Sequence, residues 1–279
     1  MNILSLGGSR NIGYFSAIRL LDSGCTVTFL LRNLSKLQDD EVIGKYVASG
    51  KAFLVKGDAL EKSDVENGWK EAGKHGNIDV LLFTVGGTPE MSLTKGAIIK
   101  PADLVTRSFM NTITTMPTSQ PQPKIIAVSS TGLTKTSHAS LPLPLKPLYA
   151  WMLALPHKDK IGLEIIIHHC AGWTWNSKED GEADEGILPS NWTSTPGLPA
   201  PGTLKNVLVV RPAMLTDGEC QAEKKKKGSG SGKSKPAYRV SEGELGGYTV
   251  SRRDVAHFIA DVVLNKWETY ADKVVNIGY

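Results

Sequence analysis

The chain has 279 residues, 41% of them hydrophobic and 22% charged, with a formal net charge of +4. That size suits one large α/β domain, and the balance is that of a globular protein rather than a disordered or membrane-embedded one. Much of the positive charge sits in one run, EKKKKGSGSGKSK at 223–235, so it implies no basic face, and no nucleic-acid partner is expected.

Three cysteines, Cys25, Cys170 and Cys220, stand far apart without a C-x-x-C pair. That points to a reducing compartment and away from a disulfide framework or a zinc knuckle. No window reaches the roughly 18 apolar residues of a membrane span. Met1–Leu6 has no basic stretch ahead of a long apolar one, so the expected location is cytoplasmic, away from membranes.

NILSL (2–6) reads as a buried strand. After the glycines at 7, 8 and 13, Tyr14, Ala17, Ile18 and Leu21 fall at helical spacing, and Gly24 is placed to end that helix. Five further apolar runs read as strands: TVTFLL (26–31), AFLVKGD (52–58), IDVLLFTVGG (78–87), KIIAVSS (124–130) and NVLVVRP (206–212). Helical patterns occupy 61–73, near 99–115, near 145–170 and 251–264, and a short apolar run, KVVNIG, comes near the end. The runs are continuous rather than alternating, the mark of parallel strands covered on both faces. The expectation is a doubly wound α/β sheet in the order 3-2-1-4-5-6, in one domain spanning 1–279.

Two segments break this rhythm. Residues 176–205 hold an acidic cluster and then a Pro/Gly-rich stretch, too long for an ordinary connection and expected to be a partly mobile insertion. The Lys/Gly/Ser run at 223–235 is expected to be a flexible loop. The insertions should gather at the carboxyl ends of the strands as a small substrate-side lobe.

A strand, a glycine turn and a helix amino terminus together make an anion site, because the first helical amides lack partners and the dipole favours negative charge. Gly7, Gly8, Ser9, Arg10, Asn11, Ile12 and Gly13 supply that turn, and Arg10 stands where the strict G-x-G-x-x-G pattern has its middle glycine. At the end of the second strand, where an NAD-selective site carries an acid for the ribose, this chain has Arg32. A guanidinium suits a 2′-phosphate, and Arg10 is placed to add a second charge, so the expected cofactor is NADP(H).

With these residues the chain resembles an atypical short-chain dehydrogenase/reductase, nearest the NAD(P)H-binding group that includes NmrA-like proteins and the biliverdin-IXβ/flavin reductases. GGSRNIG resembles the glycine turn of that group, and LLRNLSKL its second-strand end with Arg32. VKGDALEKSDV carries Asp58, which the resemblance places by the adenine. FTVGG offers Thr84, Val85 and Gly86 beside the cofactor ribose, and VSSTG offers Ser129 and Ser130 near the nicotinamide. HKDKIGLE resembles the active-site helix, with Lys160 as its basic residue. VVRPAMLTDG, with Arg211 and Pro212 as further cofactor contacts, and YRVSEGELGGYTVSRRDVAHFIADVV resemble the late signatures; this pair is the most diagnostic.

The usual mechanism of the superfamily needs a tyrosine four residues before a lysine on one helix face, so that the lysine lowers the phenol pKa. None of the seven tyrosines has a lysine at that spacing. The catalytic candidates are Lys160, Ser129 and Ser130, as the resemblance implies, and His157, near the helix start, as a proton donor. His138 lies in a Pro-rich loop expected to border the substrate pocket, with Met152, Trp151, Trp173 and Trp175 as apolar or aromatic walls. His168, His169 and Cys170 do not face one another on a helix, so no metal site is expected. The resulting expectation is an NADPH-dependent reductase of a small planar conjugated substrate (quinone, flavin or carbonyl type). The alternatives are an NADP(H)-sensing regulator of the NmrA type working through a protein partner, and an epimerase or dehydratase.

Overall fold

The computed structural model describes residues 1–92, 94, 96–141, 143–224 and 236–279. Its strands are β1 (Asn2–Leu6), β2 (Thr26–Leu31), β3 (Ala52–Lys56), β4 (Val80–Phe83), β5 (Glu90–Ser92), β6 (Gly96–Ile98), β7 (Lys124–Val128), β8 (Val207–Pro212), β9 (Met214–Thr216), β10 (Arg239–Ser241), β11 (Thr249–Ser251) and β12 (Lys273–Gly278). Eight of them form one sheet in the order β10-β12-β8-β7-β4-β1-β2-β3. Every pairing is parallel except the one between β10 and β12.

The expected six-strand order is present, with β7 and β8 as its fifth and sixth members. The late apolar run adds a seventh parallel strand, β12, beside β8, and β10 closes that edge. β1 and β4 are buried along their whole length, as continuous apolar runs in a sheet covered on both faces must be. Leu6 lies opposite both Leu30 and Phe83, so the chain leaves β1, β2 and β4 at one edge of the sheet.

Two apolar layers flank the sheet. On one face Leu20, Phe29, Val255 and Ile259 pack the helices Asn11–Asp22 and Arg252–Asp261. On the other, Trp69, Phe83, Phe109 and Ile166 pack the helices Lys62–Gly73, Leu104–Thr114 and Ala154–Ala171. Trp69 also donates its indole N–H to the Thr112 carbonyl at 3.1 Å, so its polar edge is satisfied inside that layer.

Several boundaries differ from the sequence pattern. The stretch near 99–115 follows a β5–β6 hairpin that ends at Ile98, and becomes helical only at Leu104. The stretch near 145–170 is two helices, Leu145–Met152 and Ala154–Ala171, parted at Leu153. A helix at Glu41–Ala48 was not expected; Asp40 caps it by accepting from the Val42 and Ile43 amides.

The 176–205 segment is more than a lobe at the carboxyl edge. It starts there, with Asp184 paired to Lys158 at 2.8 Å and Ile187 and Leu188 buried. It then follows the helix Ala154–Ala171 to its far end, where Trp192 packs on His169 and the Leu204 amide bonds the Cys170 carbonyl at 2.9 Å. The expected flexible run lies, from 225 onward, outside the described residues. Among the described residues no helix is long and apolar enough to cross a membrane.

Candidate functional site

The strand order reverses between β1 and β4, which opens a crevice at their carboxyl ends. The turn after β1 is pressed against β4. A Cβ on Gly7, whose φ is +85°, would lie 2.5 Å from the Thr84 carbonyl, and one on Gly13 would lie 2.3 Å from Thr84 Oγ1. Gly8 is closed in by Ser5 and Phe29. Besides Gly7, the turn has one non-glycine residue in the left-handed region, Asn11, at φ 54°. Arg10, at the position counted as the missing middle glycine, is extended at φ −166° and ψ 170° and needs no such freedom. Asparagine is among the few side chains that enter the left-handed region readily, so the turn forms without a third glycine there.

The helix that follows has no side-chain cap and no acid in its first turn. Ser251, by contrast, caps the helix Arg252–Asp261 with its own hydroxyl. The amides of Asn11, Ile12 and Gly13 thus open the helix without a local acceptor, although the Ile12 side chain is core.

A cavity of about 420 Å³ lies over this turn, lined by Gly7, Ser9 and Arg10, by Arg32, Asn33 and Lys36 after β2, by Asp58 after β3, and by Val85 and Gly86 after β4. Arg32 is exposed and has no acidic partner among the described residues. Arg10 spans the mouth, donating to Thr88 Oγ1 at 2.6 Å and to the Gly86 carbonyl at 3.4 Å. Asp58 accepts from the Leu60 amide at 3.0 Å and so shapes its own turn. Thr84 stands behind the cavity, its hydroxyl donating to the Leu6 carbonyl at 3.2 Å.

A second, more apolar chamber of about 320 Å³ adjoins it, and Gly86 belongs to both linings. Ser129, Ser130, Met152, Pro156, His157, Lys160 and Pro212 line it. Lys160 donates to the Ser129 carbonyl at 2.6 Å, and burial of the ammonium lowers its pKa to about 8. Four residues before it, where a tyrosine would be wanted, stands Pro156. His157 Nε2 lies 3.3 Å from Ser130 Oγ, and the hydroxyl donates to the Thr131 carbonyl at 3.0 Å. Burial, helped by the Lys160 charge, lowers the His157 pKa to about 3, so its ring is neutral at pH 7. Asp159 also lines the chamber, but both its oxygens are engaged, accepting from the Val105 and Thr106 amides at 2.8 Å each, and so cap the helix Leu104–Thr114.

Arg211 is placed differently from the expectation. It lines neither cavity and makes a buried two-pronged pair with Glu164, with Arg211 Nε to Glu164 Oε1 at 3.0 Å and a second contact beside it. Burial opposes the charge on Glu164, but the guanidinium outweighs it and holds the carboxyl below its ordinary range. Glu164 sits one turn past Lys160, and the Ser129 hydroxyl faces it.

The aromatic group is also elsewhere: Trp173 and Trp175 pack edge-on to His168, and Trp151 is exposed. His138 lies on the helix Lys135–Ser140, off the chamber lining. Among the described residues no cluster of three His, Cys, Asp or Glu could hold a metal. Sequence reasoning missed Asp254, which accepts from Ser251 and Tyr279 hydroxyls and from the Gln221 and Ala222 amides. This hub is the physical content of the SRRDVA stretch.

A parallel sheet that reverses beside a glycine turn, with an uncapped helix start over a cationic cavity, defines an α/β protein of the dinucleotide-binding, doubly wound class. The short chain dehydrogenase family model matches residues 1–141, and the chain belongs to that family. Reductase pytE of Aspergillus terreus is 31% identical over 159 residues, which cover 56% of this chain and 48% of that one, so the match spans about half the length of that curated relative. Among solved structures, ChuY, an anaerobillin reductase from Escherichia coli O157:H7, is similar at a TM-score of 0.56 and 16% identity, over 99% of this chain and 96% of that one. A short chain dehydrogenase from Burkholderia cenocepacia J2315, in complex with NADP, gives a TM-score of 0.55 at 16% identity, over 96% and 92% of the two chains. At these identities the structural likeness is one of fold.

Proposed function

We propose that the protein is an NADPH-dependent reductase of a small planar conjugated substrate of quinone, flavin or carbonyl type. One observation carries the reading: a cationic cavity over the glycine turn continues, across Gly86, into an apolar chamber that Lys160, Ser130 and His157 face. The residues fit the cofactor. The uncapped amides of Asn11, Ile12 and Gly13 suit a pyrophosphate, and Gly7, where a side chain would collide with the Thr84 backbone, lets the turn seat against β4 beneath the cavity. Arg32, with Arg10 and Lys36 in the same lining, suits a 2′-phosphate, and Asp58 with Val85 borders the adenosine. When bound, NADPH supplies the hydride.

The chain's own residues do the rest. Lys160, fixed by the Ser129 carbonyl, offers its remaining N–H donors to a ribose hydroxyl. Ser130 donates a proton to the substrate heteroatom and regains one through the neutral His157. Pro156 in place of a tyrosine removes the phenolic proton donor of the usual mechanism, so little help reaches a localised alkoxide. A conjugated acceptor spreads the developing negative charge over its own π-system and needs that help least. The same gap disfavours an epimerase or dehydratase. The protein's share is positioning and exclusion of water.

The test mixes purified protein with NADPH and a panel of quinones, flavins and aldehydes, following absorbance at the nicotinamide band. Turnover with a quinone or flavin is expected. Tight NADPH binding with no oxidation across the panel overturns the reading and leaves an NADP(H)-sensing protein of the NmrA type.

A further inference from the structure

The charges lining the chamber are unequal. Among its described lining residues the cations are Lys160 and Arg252, and the carboxylate is Asp159. Both Asp159 oxygens are taken by backbone amides, so no anion is left facing the space. Lys160 is held on the Ser129 carbonyl at 2.6 Å. Arg252 is the other cation of the lining, contributed by the helix that follows β11.

Its placement follows from local structure. β11 pairs with β9, so the chain enters the helix Arg252–Asp261 beside Met214 and Leu215, which belong to the same wall. The guanidinium is mostly covered, with 23% of the side chain exposed, and one of its nitrogens donates to Asp217 Oδ1 at 2.7 Å. Asp217 is 88% exposed, and a pair with so solvated a partner is worth little and exchanges readily. A guanidinium binds carboxylates through two parallel N–H donors, and Asp217 occupies only part of that fork.

We propose that Arg252 anchors a carboxylate of the substrate, Asp217 holding the guanidinium until that carboxylate displaces it. The substrate class is then a planar conjugated acid whose apolar body lies against Met152, Pro156 and Met214. The inference rests on the reductase reading for the use of the chamber, but its own content is binding and is tested by binding.

Calorimetry of the NADPH-loaded protein with a naphthalene carboxylate and with its methyl ester reads the anchor directly. The acid is expected to bind about tenfold more tightly than the ester, a difference of about 1.4 kcal/mol. R252Q should bring the acid down to the ester's affinity, and D217N, which frees the fork, should tighten the acid several-fold. A gain in D217N cannot come from misfolding. Equal affinities in the unaltered protein, a preference that survives R252Q, or no binding of either compound would overturn the proposal. NADPH oxidation with a quinone that has no carboxylate is measured alongside. If it is absent while the acid preference holds, the reductase reading falls and the anchor stands; if it is present without the preference, the anchor alone falls.

Discussion

Around the ends of β1, β2 and β3, charged and polar groups are left unmet: Arg32 is exposed with no acid paired to it among the described residues, and the first helical amides have no side-chain cap. Around β7, β8 and the helix Ala154–Ala171 the buried charges are satisfied within the protein, Glu164 by Arg211, Asp159 by two amides and Lys160 by a carbonyl. The first region is a receptor, because what it lacks defines what it takes. The second is a frame, because its groups already hold one another in place and can orient a reaction only by staying there. Mutations should therefore act on binding in the first region and on stability or rate in the second.

The largest effect falls in the frame. Glu164→Leu strands Arg211 in the interior, and removal of one partner of a buried pair costs about 3–5 kcal/mol. Urea denaturation should show that loss, with the double variant Glu164→Leu/Arg211→Met recovering most of it because no charge is then buried alone. A single variant within about 0.5 kcal/mol of the parent, the range of surface substitutions, would mean that this region is no frame.

The two regions also differed in how much of them could be read from the sequence. The glycine turn was legible because it is local: seven consecutive residues determine it, and a strand before and a helix after are visible in the hydrophobic periodicity. Even there, the pattern puts its middle glycine at Arg10, whereas in the fold Arg10 is extended and Asn11 takes the left-handed conformation. The frame was opaque because its partners are distant in the chain. Arg211 looked like a cofactor contact until Glu164, 47 positions earlier, was seen beside it. The Asp254 hub gathers residues from 220 to 279, and no window of sequence contains it. Trp173 and Trp175 had the right chemistry for a pocket wall, but the chain after the helix turns them onto His168.

Lys160 belongs to the frame yet lines the chamber, and its pH response separates a role in rate from one in stability. Burial lowers it to about 8, whereas in the unfolded chain it returns to the ordinary lysine range near 10.5. Between those values the unfolded state holds the proton more firmly, so the group's contribution to stability rises with pH. The donor function runs the other way, since the ammonium is lost as pH rises through about 8. NADPH-dependent turnover should accordingly be level below that point and fall above it while the protein does not lose stability from this group. Lys160→Met should lower kcat/KM about a hundredfold, roughly 2.7 kcal/mol of barrier, and abolish the alkaline fall. A variant that keeps the same fall assigns it to another group.

Arg32→Asp is the smallest of these changes and the cleanest test of the receptor. The side chain is exposed and pairs with no acid among the described residues, so stability should move by no more than about 0.5 kcal/mol. Its effect belongs to the coenzyme: an added carboxylate repels a 2′-phosphate and accepts from a 2′-hydroxyl, so the NADPH and NADH affinities should shift in opposite directions. A relative change of about tenfold corresponds to 1.4 kcal/mol. Because the group is solvated, the preference of the unaltered protein for NADPH should itself shrink as salt is raised from low ionic strength. If both coenzymes weaken alike in the variant, the guanidinium lies outside the site and Arg10 or Lys36 must carry the selectivity, as the remaining cations of that lining.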